Sequence, residues 1–303
     1  SVPGLIAELL VYRGQVPSTM AVDETLVDLQ GNFTFPIKYG YAVVGQVVEI
    51  GADVPKHWQD QWVFAFHPHE SHFVTTPQNV LPLPDGMSPE DAVFLPNMES
   101  AVNLIMDGRP LLGERVVLFG QGIVGLLATA LLSQYPLHEL ITIEPFPKRR
   151  EASLTVGAHR TLDPADLDQM IAHFQEKDSS QGADLVYELS GNPKALNQAI
   201  DLASFASRII VGSWYGTKQA TLDLGSRFHR QRIQLISSQV STIAPEFRGR
   251  WTKSRRIQLA WRMLETIKPA RFITHRFHIS QAEQAYQLLD KSPEQAIQVI
   301  LSY

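Results

Sequence analysis

The stretch RVVLFGQGIVGLLATALLS, residues 115 to 133, constrains the fold more than any other part of the chain. RVVLFG is a short apolar run of the kind that forms a parallel strand buried on both faces, and IVGLLATALLS is an apolar helix. Between them Gly120, Gly122 and Gly125 stand in the order G-x-G-x-x-G. Such spacing is a weak signal by itself, but here it lies directly between a strand and a helix. In that setting Gly120 permits the tight turn, Gly122 lets a pyrophosphate approach the backbone, and Gly125 lets helix and strand pack closely. Ile123 and Val124 open the helix, whose N-terminus favours an anion. The pattern also asks for an acid about 20 residues on, at the end of the next strand. ELITIE, residues 139 to 144, ends in Glu144. A carboxylate there accepts from ribose hydroxyls and repels a 2′-phosphate, so NAD is the expected cofactor. PFPKRR follows at once, and Lys148, Arg149 or Arg150 pairing with that phosphate is the NADP alternative.

Further apolar runs continue the rhythm: ADLVYEL (183 to 189) and SRIIVGSW (207 to 214) read as strands, separated by helical stretches. One such helix is NPKALNQAIDLAS, with Asn192 as N-cap and Pro193 in the first turn. Strands alternating with helices give a doubly wound parallel sheet, an α/β fold. Before residue 85 the text differs. YAVVGQVVEIG and WVFAF are β-rich and separated by turn residues Gly51, Pro55 and Asp60, which predicts a compact β-barrel or sandwich. SPED, residues 88 to 91, opens a helix with Ser88 as N-cap and Pro89 at the first helical position. The last sixty residues hold the helix RRIQLAWRMLETI, a second helix opened by SQAE, and a closing strand, AIQVILSY.

A chain of 303 residues, 44% hydrophobic and 19% charged, is long enough for two domains with substantial cores. A net charge of −5 and a pI near 6.1 offer no basic stripe for nucleic acid. No run of about 20 apolar residues is present to span a bilayer, and residues 1 to 20 lack a signal-peptide pattern, so a cytoplasmic protein is expected. With no cysteine, any metal must be held by His, Asp or Glu. FHPHESHF, residues 66 to 73, concentrates three of the ten histidines. If its strand continues, His67 and His69 share one face, and Glu70 and His72 stand close by. Pro68 and the turn-like ESH oppose that geometry. The favoured reading is a tight connection that does not bind metal.

FPIKYGYAVVGQVVEIGADV, NVLPLPDGMSPEDAVFLPNMESAVNLI, GADLVYELSGNPKALNQAIDL, RIIVGSWYG and ITHRFHISQAEQAYQLLDKSPEQAIQVIL follow one another as in the medium-chain dehydrogenase/reductase superfamily, the zinc alcohol dehydrogenase relatives. The resemblance implies a Rossmann doubly wound parallel sheet plus a GroES-like β-barrel domain, with the active site in the cleft. Residues 1–97 would be the GroES-like catalytic domain, 98–240 the Rossmann cofactor-binding domain, and 241–303 a return to the catalytic domain. It adds Ser190, Gly212 and Ser213 to the cofactor-binding residues and implies a homodimer formed through the cofactor domain. The chain opens at Ser1 without the family's first strands, which suggests a truncated start.

The departures bear on chemistry. Tyr41 and Ala42 stand where this superfamily commonly has a His and a Glu, Leu5 and Asn97 where it has Cys ligands, and the cysteine-rich structural loop is absent. No catalytic or structural zinc is therefore expected. Hydride transfer between nicotinamide and an alcohol or carbonyl substrate, a small molecule, then needs hydrogen-bond donors at the developing oxyanion. Tyr41 and His67 are the candidates for donor or acid/base duty, Asn97 for a polar orienter, and Glu99 for a base, an anchor or, preferentially, a charge at a helix N-terminus. Phe64, Phe66, Trp214 and Tyr215 line a cleft for a large flat substrate or belong to the core. A quinone or enoyl reductase and a catalytically silent dinucleotide-binding protein are the rival readings.

Overall fold

The computed structural model describes residues 7–22, 31–177 and 182–303. The described chain packs as two compact units, one holding the residues up to Pro96 together with Ile257–Tyr303, the other Asn97–Arg256.

In the first unit a short helix, α1 (Ala7–Tyr12), precedes strands β1 (Val43–Gln46), β2 (Trp62–Ala65) and β3 (Val80–Pro82), which form an antiparallel sheet in that order. These are the described strands of the GroES-like part, and they are shorter than the sequence runs. β1 takes only the centre of YAVVGQVVEIG, and β2 ends before His67, so the three histidines stand on a loop rather than on a strand face. Phe64 is fully buried and meets Phe66 and Trp261 edge to face, so it belongs to the core rather than to a substrate wall. Next comes α2 (Pro89–Ala92), begun as its sequence specifies: the Ser88 hydroxyl accepts from the Asp91 amide at 3.0 Å.

The helix α3 (Leu95–Gly108) leads into the second unit, where β4 (Arg115–Phe119), α4 (Ile123–Leu132), β5 (Glu139–Ile143), α5 (Pro147–Thr155), β6 (Arg160–Leu162), α6 (Leu167–Lys177), β7 (Ala183–Glu188), α7 (Ala195–Leu202), β8 (Ala203–Val211) and β9 (Gln234–Ser237) alternate. The strands make one parallel six-stranded sheet in the order β6-β5-β4-β7-β8-β9. Val116, Val117, Leu118, Ile141, Leu185 and Val186 are fully enclosed, as continuous apolar strands between helical layers must be. α7 starts later than NPK suggests. Asn192 still accepts from the Lys194 amide through Oδ1 at 3.1 Å, but it shapes the preceding turn instead of capping the helix.

Chain order ends with α8 (Lys253–Ile267), β10 (Ile273–His278), α9 (Ala282–Lys291) and β11 (Gln298–Ser302), and β10 pairs in parallel with β11. Residues 241–256, which the sequence reading gave to the C-terminal return, pack in the second unit. Arg256, fully buried, accounts for this. Its Nε and Nη2 donate to Glu99 Oε1 at 3.1 and 2.9 Å, its Nη1 to Asn103 Oδ1 and the Thr242 carbonyl at 2.5 and 3.1 Å, and Nη2 also to the Val240 carbonyl.

Candidate cofactor and substrate sites

The strand order reverses between β5-β4 on one side and β7-β8 on the other, and in open α/β sheets ligands bind beyond the strand ends at that switch point. The glycine turn follows β4 there. Gly120 has φ +90°, and a Cβ on it would meet the Leu189 carbonyl oxygen at 2.6 Å; one on Gly125 would meet the Gly120 oxygen at 2.0 Å. Both positions are closed to any side chain by backbone. At Gly122, the N-cap of α4, a Cβ would meet nothing within 4 Å. The turn therefore has two glycines that packing requires and one that faces open space, the cradle a pyrophosphate needs at a helix N-terminus. Ile123 is buried and Val124 half-buried at the start of α4.

Glu144, just beyond β5, is buried and held to this turn: Oε2 accepts from the Gln121 amide at 2.7 Å and Oε1 from the Phe146 amide at 3.1 Å. Gln121 completes the local network, donating through Nε2 to the Gly120 carbonyl at 3.0 Å and accepting from the Thr129 hydroxyl at 3.0 Å. Of the basic run, Arg150 is committed to Asp163 at 2.8 Å and to the Glu144 and Pro145 carbonyls, while the Arg149 guanidinium lies 4.9 Å from the Phe146 ring centroid.

At the ends of β7 and β8 the structure gathers Ser190, Ser213 and Tyr215 around Glu188, which is fully buried. Ser190 donates through its amide (2.8 Å) and its hydroxyl to Glu188 Oε1, Tyr215 donates to Oε2 at 2.5 Å, and Ser213 Oγ accepts from the Gly191 amide at 2.9 Å. Burial first, and the Glu188 carboxylate second, push the Tyr215 phenol well above its ordinary range. A Cβ on Gly212 would run into Leu104 and Leu189 side chains at 2.5 and 2.7 Å. Glu188 escaped the sequence reading, although an acid ending an otherwise apolar buried strand was the available signal.

The candidates for chemistry divide between the units. Tyr41 is half-buried; burial, and then the Glu8 carboxylate, hold its phenol far above the usual value, so it remains a neutral hydrogen-bond donor. His67 Nε2 lies 2.9 Å from Glu70 Oε2, and its ring stacks on Phe73 at 3.8 Å between centroids. Lys38 at 2.6 Å, and then His67, hold the Glu70 carboxyl below its ordinary range. His69 turns elsewhere, with Nε2 3.2 Å from Glu8 Oε2, and His72 is exposed. Asn97, buried, and Glu99 lie in α3. Glu99 is not the N-terminal charge the sequence favoured: it stands beyond the first turn, buried and paired with Arg256.

Zinc takes deprotonated ligands that converge from several elements. A neutral phenol at Tyr41, a methyl group at Ala42 and an amide at Asn97 do not make such a set, and Leu5 lies outside the described residues. Among the described residues no group of three or more His, Asp or Glu side chains is placed to hold a metal ion. Nor, among them, is any helix long and apolar enough to cross a membrane.

The sequence profile of the zinc-binding dehydrogenase family matches residues 124–255. D-guloside 3-dehydrogenase of Escherichia coli is 23% identical over 270 residues, covering 87% of this chain and 77% of that protein. (R,R)-butanediol dehydrogenase of Bacillus subtilis is 26% identical over 211 residues, 60% of either chain. Among solved structures, zinc-dependent alcohol dehydrogenase 2 of Streptococcus pneumoniae superposes with a TM-score of 0.76 at 20% identity, over 100% of this chain and 89% of that one. By sequence profile over residues 124–255, by these relatives and by fold, the chain is similar to zinc-binding dehydrogenases.

Proposed function

We propose that this protein transfers a hydride between NAD and a secondary alcohol or its ketone without a catalytic zinc. The observation that carries the reading is the glycine turn at the switch point, where Gly120 and Gly125 are closed by backbone and Gly122 is open. Gly122, with the amides that begin α4, would hold the pyrophosphate, and Glu144 the adenosine ribose. Bound there, the nicotinamide supplies the hydride acceptor or donor. Glu144 favours NAD; NADP is the alternative that Arg149 would serve.

The relatives' names support the choice of an alcohol. A guloside oxidised at C3 and an (R,R)-butanediol each carry a secondary hydroxyl beside another oxygen-bearing carbon. Tyr41, kept neutral, would donate to the substrate oxygen, His67 would exchange the proton, and Asn97 would orient the substrate. Glu99 would act through Arg256 as an anchor of α3. Residues at the family's ligand positions that cannot bind zinc support metal-free chemistry. A homodimer and a cytoplasmic location remain part of this reading.

The test is a panel of diols, methyl glycosides, quinones and enones, each assayed with NAD and with NADP. Saturable turnover of a secondary alcohol with NAD is the expected result. Turnover confined to quinones or enones would overturn the alcohol reading in favour of a reductase. Nicotinamide binding without any turnover would leave a silent dinucleotide-binding protein.

A further inference from the structure

After the apolar run Leu185, Val186 and Tyr187, β7 ends in the fully buried carboxylate of Glu188. Enclosing a carboxylate is costly unless donors surround it. The donors come from two different turns. Ser190, after β7, gives its amide at 2.8 Å and its hydroxyl to Oε1, and Tyr215, after β8, gives its hydroxyl to Oε2 at 2.5 Å. Two further ties run between the same turns. Ser213 Oγ accepts from the Gly191 amide at 2.9 Å and donates to the Glu188 carbonyl at 3.3 Å, while Lys218 Nζ donates to the Gly191 carbonyl at 2.9 Å. Ser190 Oγ also accepts from the Asn192 amide at 3.1 Å. Both serine hydroxyls are thus engaged within the protein.

This clamp adjoins the glycine turn. The Leu189 amide donates to the Phe119 carbonyl at 2.8 Å, and a Cβ on Gly120 would meet the Leu189 carbonyl oxygen at 2.6 Å and Ser190 Cα at 2.7 Å. Glu144 stands on the other side of β4, beyond β5. With the adenosine ribose at Glu144 and the pyrophosphate at the glycine turn, the second nucleoside of a dinucleotide extends over the ends of β7 and β8. Gly212, just beyond β8, is exposed there, and its amide donates to the Glu188 carbonyl at 3.1 Å.

We propose that Glu188 and Tyr215 are positioning residues for the nicotinamide nucleoside: their hydrogen bond joins the turns after β7 and β8 into one wall against which that half of the cofactor packs. This rests on the dinucleotide reading given above and extends it to side chains that work from behind the wall. Glu188 is enclosed, so it acts through the backbone of residues 190–191 and 212–213. Glu144 takes no part in the clamp, and neither do Gly122 and the amides that begin α4. The adenosine half therefore binds independently of it.

The experiment titrates the full chain calorimetrically with NAD and with ADP, which has the adenosine and the diphosphate but lacks the nicotinamide nucleoside. Tyr215→Phe keeps the ring and removes the donor. It raises the NAD Kd about tenfold, the scale of one hydrogen bond to a charged group, and leaves the ADP Kd within about twofold. Ser213→Ala, which cuts the tie to Gly191, gives the same split and decides the matter if Tyr215→Phe fails to fold by circular dichroism. The proposal is overturned if the folded variants bind NAD as the wild type does. It is equally overturned if NAD and ADP weaken in parallel, as support of the fold alone would make them. A wild type that binds neither NAD nor ADP would bring down the dinucleotide reading and the clamp with it, whereas unchanged NAD and ADP affinities in the variants count against the clamp alone.

Discussion

Gly122 and Gly125 are three residues apart and do different work. A methyl on Gly125 would sit 2.0 Å from the Gly120 carbonyl oxygen, whereas one on Gly122 meets nothing within 4 Å. Gly125→Ala should therefore lower the melting temperature and cofactor affinity together. Gly122→Ala should leave melting unchanged and raise the dinucleotide Kd about tenfold or more, the cost of displacing one well-placed phosphate contact. Calorimetric titration with NAD beside a thermal melt distinguishes them. Tyr41 permits an equally specific test. Its phenol is held above its ordinary range by burial and by Glu8, so its hydroxyl stays protonated through the accessible pH range. Tyr41→Phe should lower kcat by about 10² to 10³, as loss of one preorganised donor does, without removing a titration from the neutral part of the pH profile. These residues could be read in the sequence because each stands in a local pattern. The hydrogen bonds of Glu8 could not, since its partners His69 and Tyr286 are 61 and 278 positions away and only packing brings them to it.

Among the elements, the strands of the parallel sheet were the most legible, because a strand enclosed on both faces must be apolar throughout and RVVLF, ELITI and RIIV say so directly. β10, ITHRFH, was missed for the converse reason: its residues alternate weakly, and it is a strand because β11 supplies a parallel partner. The histidine stretch forms the connection that the sequence favoured over a continuing strand. His67 and His69 would share a face only on a continuing strand, and β2 ends at Ala65. The helix α3 owes its position to Arg256, a charge fully buried against Glu99 and Asn103. Removing one partner of such a pair leaves the other charge uncompensated. Arg256→Leu should thus destabilise the second unit by about 3–5 kcal/mol, measured by urea unfolding. Glu99→Leu with Arg256→Leu should recover much of that loss. If Arg256→Leu unfolds at the same urea concentration as the wild type, the ion pair does not hold the segment 241–256 in place.

At the scale of the whole molecule, the dinucleotide fold and the zinc-ligand positions point in different directions. The second unit keeps the switch point, the glycine turn and the acid beyond β5, and the family profile matches most of it. The first unit has Tyr41 and Ala42 at the zinc-ligand positions in question, and Asn97 opens the second unit. Hydride transfer does not require a metal in principle; it requires that charge developing on the substrate oxygen be met by donors already in place. The most direct measurement is the rate of nicotinamide reduction by the best secondary alcohol, in protein exhaustively treated with dipicolinate and in the same protein after added zinc and dialysis, with metal content determined for both. The account predicts equal rates and no stoichiometric zinc in either sample. Turnover that vanishes on chelation and returns with one zinc per chain would contradict it.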